Sequence, residues 1–155
     1  MIQTVLGDQR SELHKQIVTR HMAEELACKG YKILVVEDNP VNQKLLQIVL
    51  KNLGCESDLA ANGKEAIEKI KTRFYDLVLM DLQMPVMGGV EATQIIRREI
   101  SKTLPIVALT AAALKEDEDK SLAAGMNDFI AKPVEIGKLK EKIAQWVDHP
   151  TNFIL

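Results

Sequence analysis

The residues here best suited to do chemistry are an aspartate that closes one apolar run and an acidic pair that closes another. Asp81 follows Leu77-Val78-Leu79-Met80 and precedes the loop Leu82-Gln83-Met84-Pro85. Glu37-Asp38 follows Ile33-Leu34-Val35-Val36 in the same manner. Two buried strands that both end in acids imply a shared acidic pocket at one edge of a sheet. Three carboxylates in so small a space repel one another, and protons or a cation must relieve them. A divalent, oxygen-seeking ion does this most simply. Taken singly, each residue has a plainer reading. Asp38 could cap a helix, Lys132 could be a solvated surface lysine, and Thr110 could be a turn residue. The chemical reading rests on their falling together.

The elements that must position them follow from periodicity. Lys32–Glu37 reads as a strand, and Pro40 suits the first position of a helix that Asp38 or Asn39 can cap. Val41, Leu45, Ile48, Val49 and Leu53 recur at three and four, which predicts one apolar face, and Gly54 stops the helix. Glu56–Ala60 reads as a weaker strand. Asn62-Gly63 opens a second helix with Ala66, Ile67 and Ile70 on its inner face. Asp76–Met80 is expected as the third strand, Val90–Ile100 as the third helix and Pro105–Leu109 as the fourth strand. Leu114–Ala124 permits a helix but is poor in apolar residues. Asp128–Ala131 is a short fifth strand, and Glu135–Val147 a last helix with Ile136, Leu139, Ile143 and Trp146 or Val147 inward. Five strands alternating with five helices predict an α/β fold, a doubly wound parallel sheet built from right-handed crossovers. Ligands of such sheets sit beyond the carboxyl ends of the strands. Glu37, Asp38, Asp81, Thr110 and Lys132 all fall there.

Composition sets the limits. A chain of 155 residues with 46% hydrophobic residues can build one domain with a real core. A formal charge of −2 gives no basis for a nucleic-acid surface or a polybasic membrane anchor. No apolar run approaches the ~18 residues of a membrane span. No secretory leader is expected either, because Gly7-Asp8-Gln9-Arg10 interrupts the start. A cytoplasmic location without direct membrane contact is therefore the expectation, although a parent protein could still be membrane-anchored. Cys28 and Cys55 lack metal-ligand spacing, which leaves two thiols or a disulfide between them. Residues 1–30 form a polar linker or short helix, 31–148 the folded domain and 149–155 a tail. His14 and His21, seven apart, lie too far along a helix to share one ion.

Four segments carry a resemblance. Val35-Val36-Glu37-Asp38-Asn39-Pro40-Val41-Asn42, then Asp81-Leu82-Gln83-Met84-Pro85-Val86-Met87-Gly88-Gly89, then Leu109-Thr110-Ala111, then Lys132-Pro133 resemble the receiver domain of two-component response regulators. The Glu-Asp-Asn form resembles receivers fused to hybrid sensor histidine kinases. The resemblance implies a flavodoxin-like sheet of order 2-1-3-4-5. It also implies that Asp81 is the phosphoacceptor, whose carboxylate forms an acyl phosphate. Mg2+ would be held by Asp38 and Asp81, by Glu37 through water and by the backbone carbonyl of Gln83. Lys132 would pair with a phosphoryl oxygen, and Thr110 would donate its hydroxyl to another. Thr110 and Phe129 would form the conformational switch, and Pro133 would follow a cis bond. Gly88 departs from the pattern, since relatives usually carry Asp or Asn there as a helix cap. Gln83 and Ala112 occupy positions that tune hydrolysis in relatives.

The implied function is a phosphorelay receiver. It takes a phosphoryl group from the phosphohistidine of a histidine kinase domain, in the same parent chain, and passes it to a histidine phosphotransfer protein or to water. Ile17-Val18-Thr19-Arg20-His21 and Met22-Ala23-Glu24-Glu25 resemble, less specifically, the connector from kinase to receiver. The chain carries no phosphohistidine box or Gly-rich ATP lid, so kinase activity is expected only of a longer parent. A haloacid-dehalogenase-like phosphatase, which also forms an aspartyl phosphate, would need an acid two residues after Asp81, where Gln83 stands. A module that only binds, without accepting phosphate, would not need Asp81, the acidic pair, Thr110 and Lys132 together.

Overall fold

A computed structural model describes residues 30–111 and 115–147. Strand β1 is Lys32–Val36, β2 Glu56–Ala60, β3 Leu77–Asp81, β4 Ile106–Thr110 and β5 Asp128–Ala131. Helix α1 is Pro40–Asn52, α2 Gly63–Thr72, α3 Gly89–Glu99, α4 Lys115–Ala124 and α5 Ile136–Val147. All strand pairs are parallel and the order is β2-β1-β3-β4-β5, as expected.

Because side chains alternate across a strand, each central strand feeds two cores. Ile33, Val35, Leu77, Leu79, Val107 and Leu109 pack with Leu46 and Leu50 of α1 and Leu139, Ile143 and Val147 of α5. Leu34, Val36, Val78, Met80, Ile106 and Ala108 pack with Ala66, Ile67 and Ile70 of α2 and Ala92 and Ile96 of α3. Strands buried on both faces explain the unbroken apolar runs.

The helix starts follow their chemistry. Asn39 caps α1, its Oδ1 accepting from Val41 N at 2.8 Å and Asn42 N at 3.3 Å, with Pro40 next to it. Asn62 caps α2 by accepting from Glu65 N at 3.0 Å. Gly88 stands at the N-cap of α3 and supplies no side-chain bond. A Cβ on the next residue, Gly89, would collide with the carbonyl oxygen of Asp81, so this glycine lets α3 approach the site.

Several expectations change. On α1 the buried residues are Leu46 and Leu50, whereas Val41, Leu45 and Ile48 face outward, 73%, 57% and 49% exposed. The helix carries two apolar stripes well over a third of a turn apart, and it covers the sheet with only one. Ile136 is likewise exposed, at the first position of α5. Asp81 and Thr110 are the last residues of β3 and β4, one further than read from sequence, because pairing with the neighbouring strand continues through Asp81↔Leu109 and Thr110↔Ala131. Glu37 lies just beyond β1. Residues 1–29, with His14, His21 and Cys28, and Ala112 and the tail 149–155, lie outside the described residues.

Candidate functional site

The site lies at the carboxyl ends of β1, β3, β4 and β5, on both sides of the point where strand order reverses between β1 and β3. Glu37, Asp38 and Asp81 each bring a carboxylate oxygen to within 4.8 Å of the others. Glu37 is 1% exposed and Asp81 6%, while Asp38 faces solvent. Lys132 reaches in from the end of β5, and its Nζ donates at 2.9 Å to Glu37 Oε2 and at 2.9 Å to Asp81 Oδ2. The Lys132–Pro133 peptide bond is cis. Burial by itself would lower the lysine's pKa. The bonds to Glu37 and Asp81 outweigh this and raise it above the ordinary value, so the ammonium stays charged.

Smaller contacts hold the acids in place. Asp81 Oδ1 accepts from Gln83 N at 3.2 Å, and Glu37 Oε1 accepts from Asn39 N at 3.2 Å. Gln43 Nε2 of α1 donates to the Glu37 carbonyl at 2.6 Å. Gln43 and the Asn39 amide escaped the sequence reading. Their one sequence signal is that Asn39 and Gln43 lie one helical turn apart, just after the acidic pair.

Thr110 is 2% exposed at the end of β4, and its carbonyl accepts from Lys132 N at 2.7 Å. Phe129 is partly buried on β5 against the core face that α2 and α3 cover. Helix α4 buries only Ser121 and Ala124, which is weak anchoring. The Gln83 main chain lies at the site through its amide, and its side chain is exposed.

The cluster sets three carboxylates against one ammonium, which bonds two of them, so formal negative charge remains, and all the donors are hard oxygens. One of the acids, Asp38, is open to solvent. That set suits a hydrated magnesium-sized ion, which takes one or two carboxylates and keeps several waters.

The sequence profile of the response regulator receiver domain matches residues 33–144. The chain belongs to the response regulator receiver family. This receiver is 44% identical over 119 residues to hybrid signal transduction histidine kinase G of Dictyostelium discoideum, covering 74% of this chain and 4% of that one. It is 39% identical over 141 residues to response regulator mcs4 of Schizosaccharomyces pombe, covering 74% of this chain and 27% of that one. The chain thus spans about a quarter or less of the length of these curated relatives.

Among solved structures, the receiver domain of sensor histidine kinase PA1611 from Pseudomonas aeruginosa superposes with a TM-score of 0.72 at 42% identity. The match covers 77% of this chain and 98% of that one, and that structure has a magnesium ion coordinated in its active site cleft. A chain of the Saccharomyces cerevisiae co-crystal between the histidine phosphotransfer protein Ypd1 and the receiver domain of its downstream response regulator Ssk1 superposes with a TM-score of 0.73. Identity there is 36%, covering 77% of this chain and 90% of that one. Among the described residues of this receiver, no helix is long and apolar enough to cross a membrane.

Proposed function

We propose that this receiver accepts a phosphoryl group from a phosphohistidine onto Asp81, with Mg2+ as cofactor, and passes it to a histidine phosphotransfer protein or to water. The observation that carries the reading is the cluster itself: Glu37, Asp38 and Asp81 within 4.8 Å, with one ammonium bonded to two of them.

In the forward step an Asp81 carboxylate oxygen forms a bond to phosphorus. The phosphorus–nitrogen bond breaks, and its electron pair stays on the imidazole of the donor. Bound Mg2+ would supply neutralisation of charge on the equatorial phosphoryl oxygens. Asp38 and Asp81 would hold it directly, Glu37 through water, and the Gln83 carbonyl would complete the set. Lys132 follows the negative charge from the Asp81 carboxylate to a phosphoryl oxygen, as a compact ammonium on a flexible stem can. Thr110 donates its hydroxyl to a second oxygen, and Phe129 takes up the space its movement opens. The weakly anchored α4 is the element that can respond.

The rim supports the partner. Val41, Leu45 and Ile48 of α1, the helix that follows the acidic pair, are exposed, as is Val86 in the loop after Asp81. Exposed apolar residues grouped beside a site mark a protein contact, and the Ypd1 co-crystal shows a related receiver in such a complex. The kinase domain that supplies the phosphoryl group would lie in a longer parent, joined through residues 1–30 to a receiver spanning 31–148. On this reading the receiver would lie in the cytosol with its kinase.

Incubation with acetyl phosphate and Mg2+ tests the proposal. One phosphoryl group per chain, stable in acid and labile in base, is expected, with none in Asp81→Asn. Catalytic turnover of many acetyl phosphate molecules, or labelling that persists in Asp81→Asn, would overturn it.

A further inference from the structure

A groove of about 550 Å³ lies at the opposite edge of the sheet, where the strands begin. Tyr31, Asp76, Pro105 and Asn127, which immediately precede β1, β3, β4 and β5, contribute to its walls, and Trp146 and Val147 at the end of α5 close one side. Four of the chain's six aromatic residues, Tyr31, Phe74, Tyr75 and Trp146, line this one groove. Phe74 is 78% exposed beside it. Neither the acidic site nor its apolar rim uses any of these residues.

We infer that the groove is the docking site for the chain's own C-terminal segment, with Phe153, Ile154 and Leu155 as the inserted side chains. The segment leaves from the groove's own wall, at Val147. Phe153 follows six residues later, a reach of about 20 Å in extended chain, which is enough to turn back across the opening. Those three apolar residues are consecutive, and a fifth aromatic, Phe153, joins the four already there. Pro150 favours extended backbone at His149, the conformation a returning segment needs. The size points the same way. A groove of a few hundred cubic ångströms accommodates a few side chains, whereas a stable contact between globular partners needs about 800 Å² on each side.

Trp146 is the chain's single tryptophan, so its fluorescence reports on the groove. In the full chain, Phe153→Ser with Ile154→Ser is expected to shift Trp146 emission to longer wavelength and increase its quenching by acrylamide. Phe74→Ser should do the same, and the combined variant should change little beyond either alone, because contacting residues are not additive. Labelling of Asp81 by acetyl phosphate should be unaffected in all three, which separates this inference from the phosphorelay reading. Unchanged emission in the tail variant would overturn it. A shift produced by Ile17→Ser with Leu26→Ser instead would give the groove to the preceding segment. Emission that varies with protein concentration, together with a dimer in sedimentation, would give it to a second copy.

Discussion

The ammonium of Lys132 lies 2.9 Å from the Asp81 carboxylate, and Glu37, just beyond the end of β1, shares the same cation at 2.9 Å. Lys132→Met keeps most of the stem but leaves the buried Glu37 and Asp81 without their cation. Breaking a buried pair from one side costs about 3–5 kcal/mol, and solvent at Lys132 should reduce this to roughly 2–3 kcal/mol. Urea unfolding without divalent metal checks it. An unmoved midpoint would mean that the two bonds contribute nothing net to stability.

Asp38 is the exposed member of the acidic cluster, so neutralising it relieves repulsion at little packing cost. Asp38→Asn is expected to raise metal-free stability by roughly 0.5–2 kcal/mol, as relief at functional sites commonly does. It should also abolish the rise in melting temperature expected when Mg2+ binds the unmodified chain. Thermal melts with Mg2+ and with a chelator read both effects. An equal Mg2+ response in the two proteins would remove Asp38 from the ligand set.

Leu45→Ser with Ile48→Ser should leave stability within about 0.5 kcal/mol, since exposed side chains contribute little to the core. Acetyl phosphate should still label Asp81, whereas phosphoryl transfer between this receiver and a histidine phosphotransfer protein should fall at least tenfold. Matching transfer rates in the variant and the unmodified chain would place the docking surface elsewhere.

Val86 has φ +68° and is 78% exposed, and the Met87 amide closes a three-residue turn onto the Pro85 carbonyl at 2.7 Å. A β-branched residue in the left-handed region is strained, and a turn of this kind is rare. Val86→Gly should therefore raise stability by about 1 kcal/mol, at the low end of the strain such residues store. It should also weaken binding of the proposed histidine phosphotransfer partner, since the exposed isopropyl group is lost. Chemical denaturation and a binding titration provide the two readouts.

The Tyr75 hydroxyl donates to Asp58 at 2.7 Å, and this bond is the chief reason that Asp58 sits below the ordinary carboxylate pKa. Burial, and then Asp58, push Tyr75 up to about 12. A carboxylate depressed in the folded state stabilises above its unfolded pKa, ~3.9, and the gain disappears as pH falls through the lower folded value. Tyr75→Phe should cost about 1–1.5 kcal/mol at neutral pH. The gap should hold down to about pH 4 and narrow below it. Stability curves for both proteins across that range decide it; a gap that stays constant into stronger acid would assign the cost to packing.

Much of this is legible in the sequence. Strand β2, helix α2 and strand β5 fall where periodicity and Asn62 place them, because a local cap and a local run of apolar residues suffice to define each. The ends of β3 and β4 were read one residue short, since a strand stops where its neighbour ceases to pair, and the neighbour is distant in sequence. The outward stripe of α1 was assigned to the core for a related reason. A helix with two apolar stripes does not itself specify which one the sheet will cover.

By itself, the chain's one-dimensional pattern determined the α/β class, the alternation of elements and the presence of acids, a hydroxyl and an amine at strand ends, because each depends on spacing within a few residues. Tertiary structure alone decided that Lys132 holds Glu37 and Asp81 together across 95 and 51 residues, that Gln43 braces the Glu37 backbone, and that aromatic residues from three separate segments meet in one groove. Those contacts depend on which strand lies beside which and which helix face turns inward, and burial of both faces of the sheet settles that for the whole chain at once.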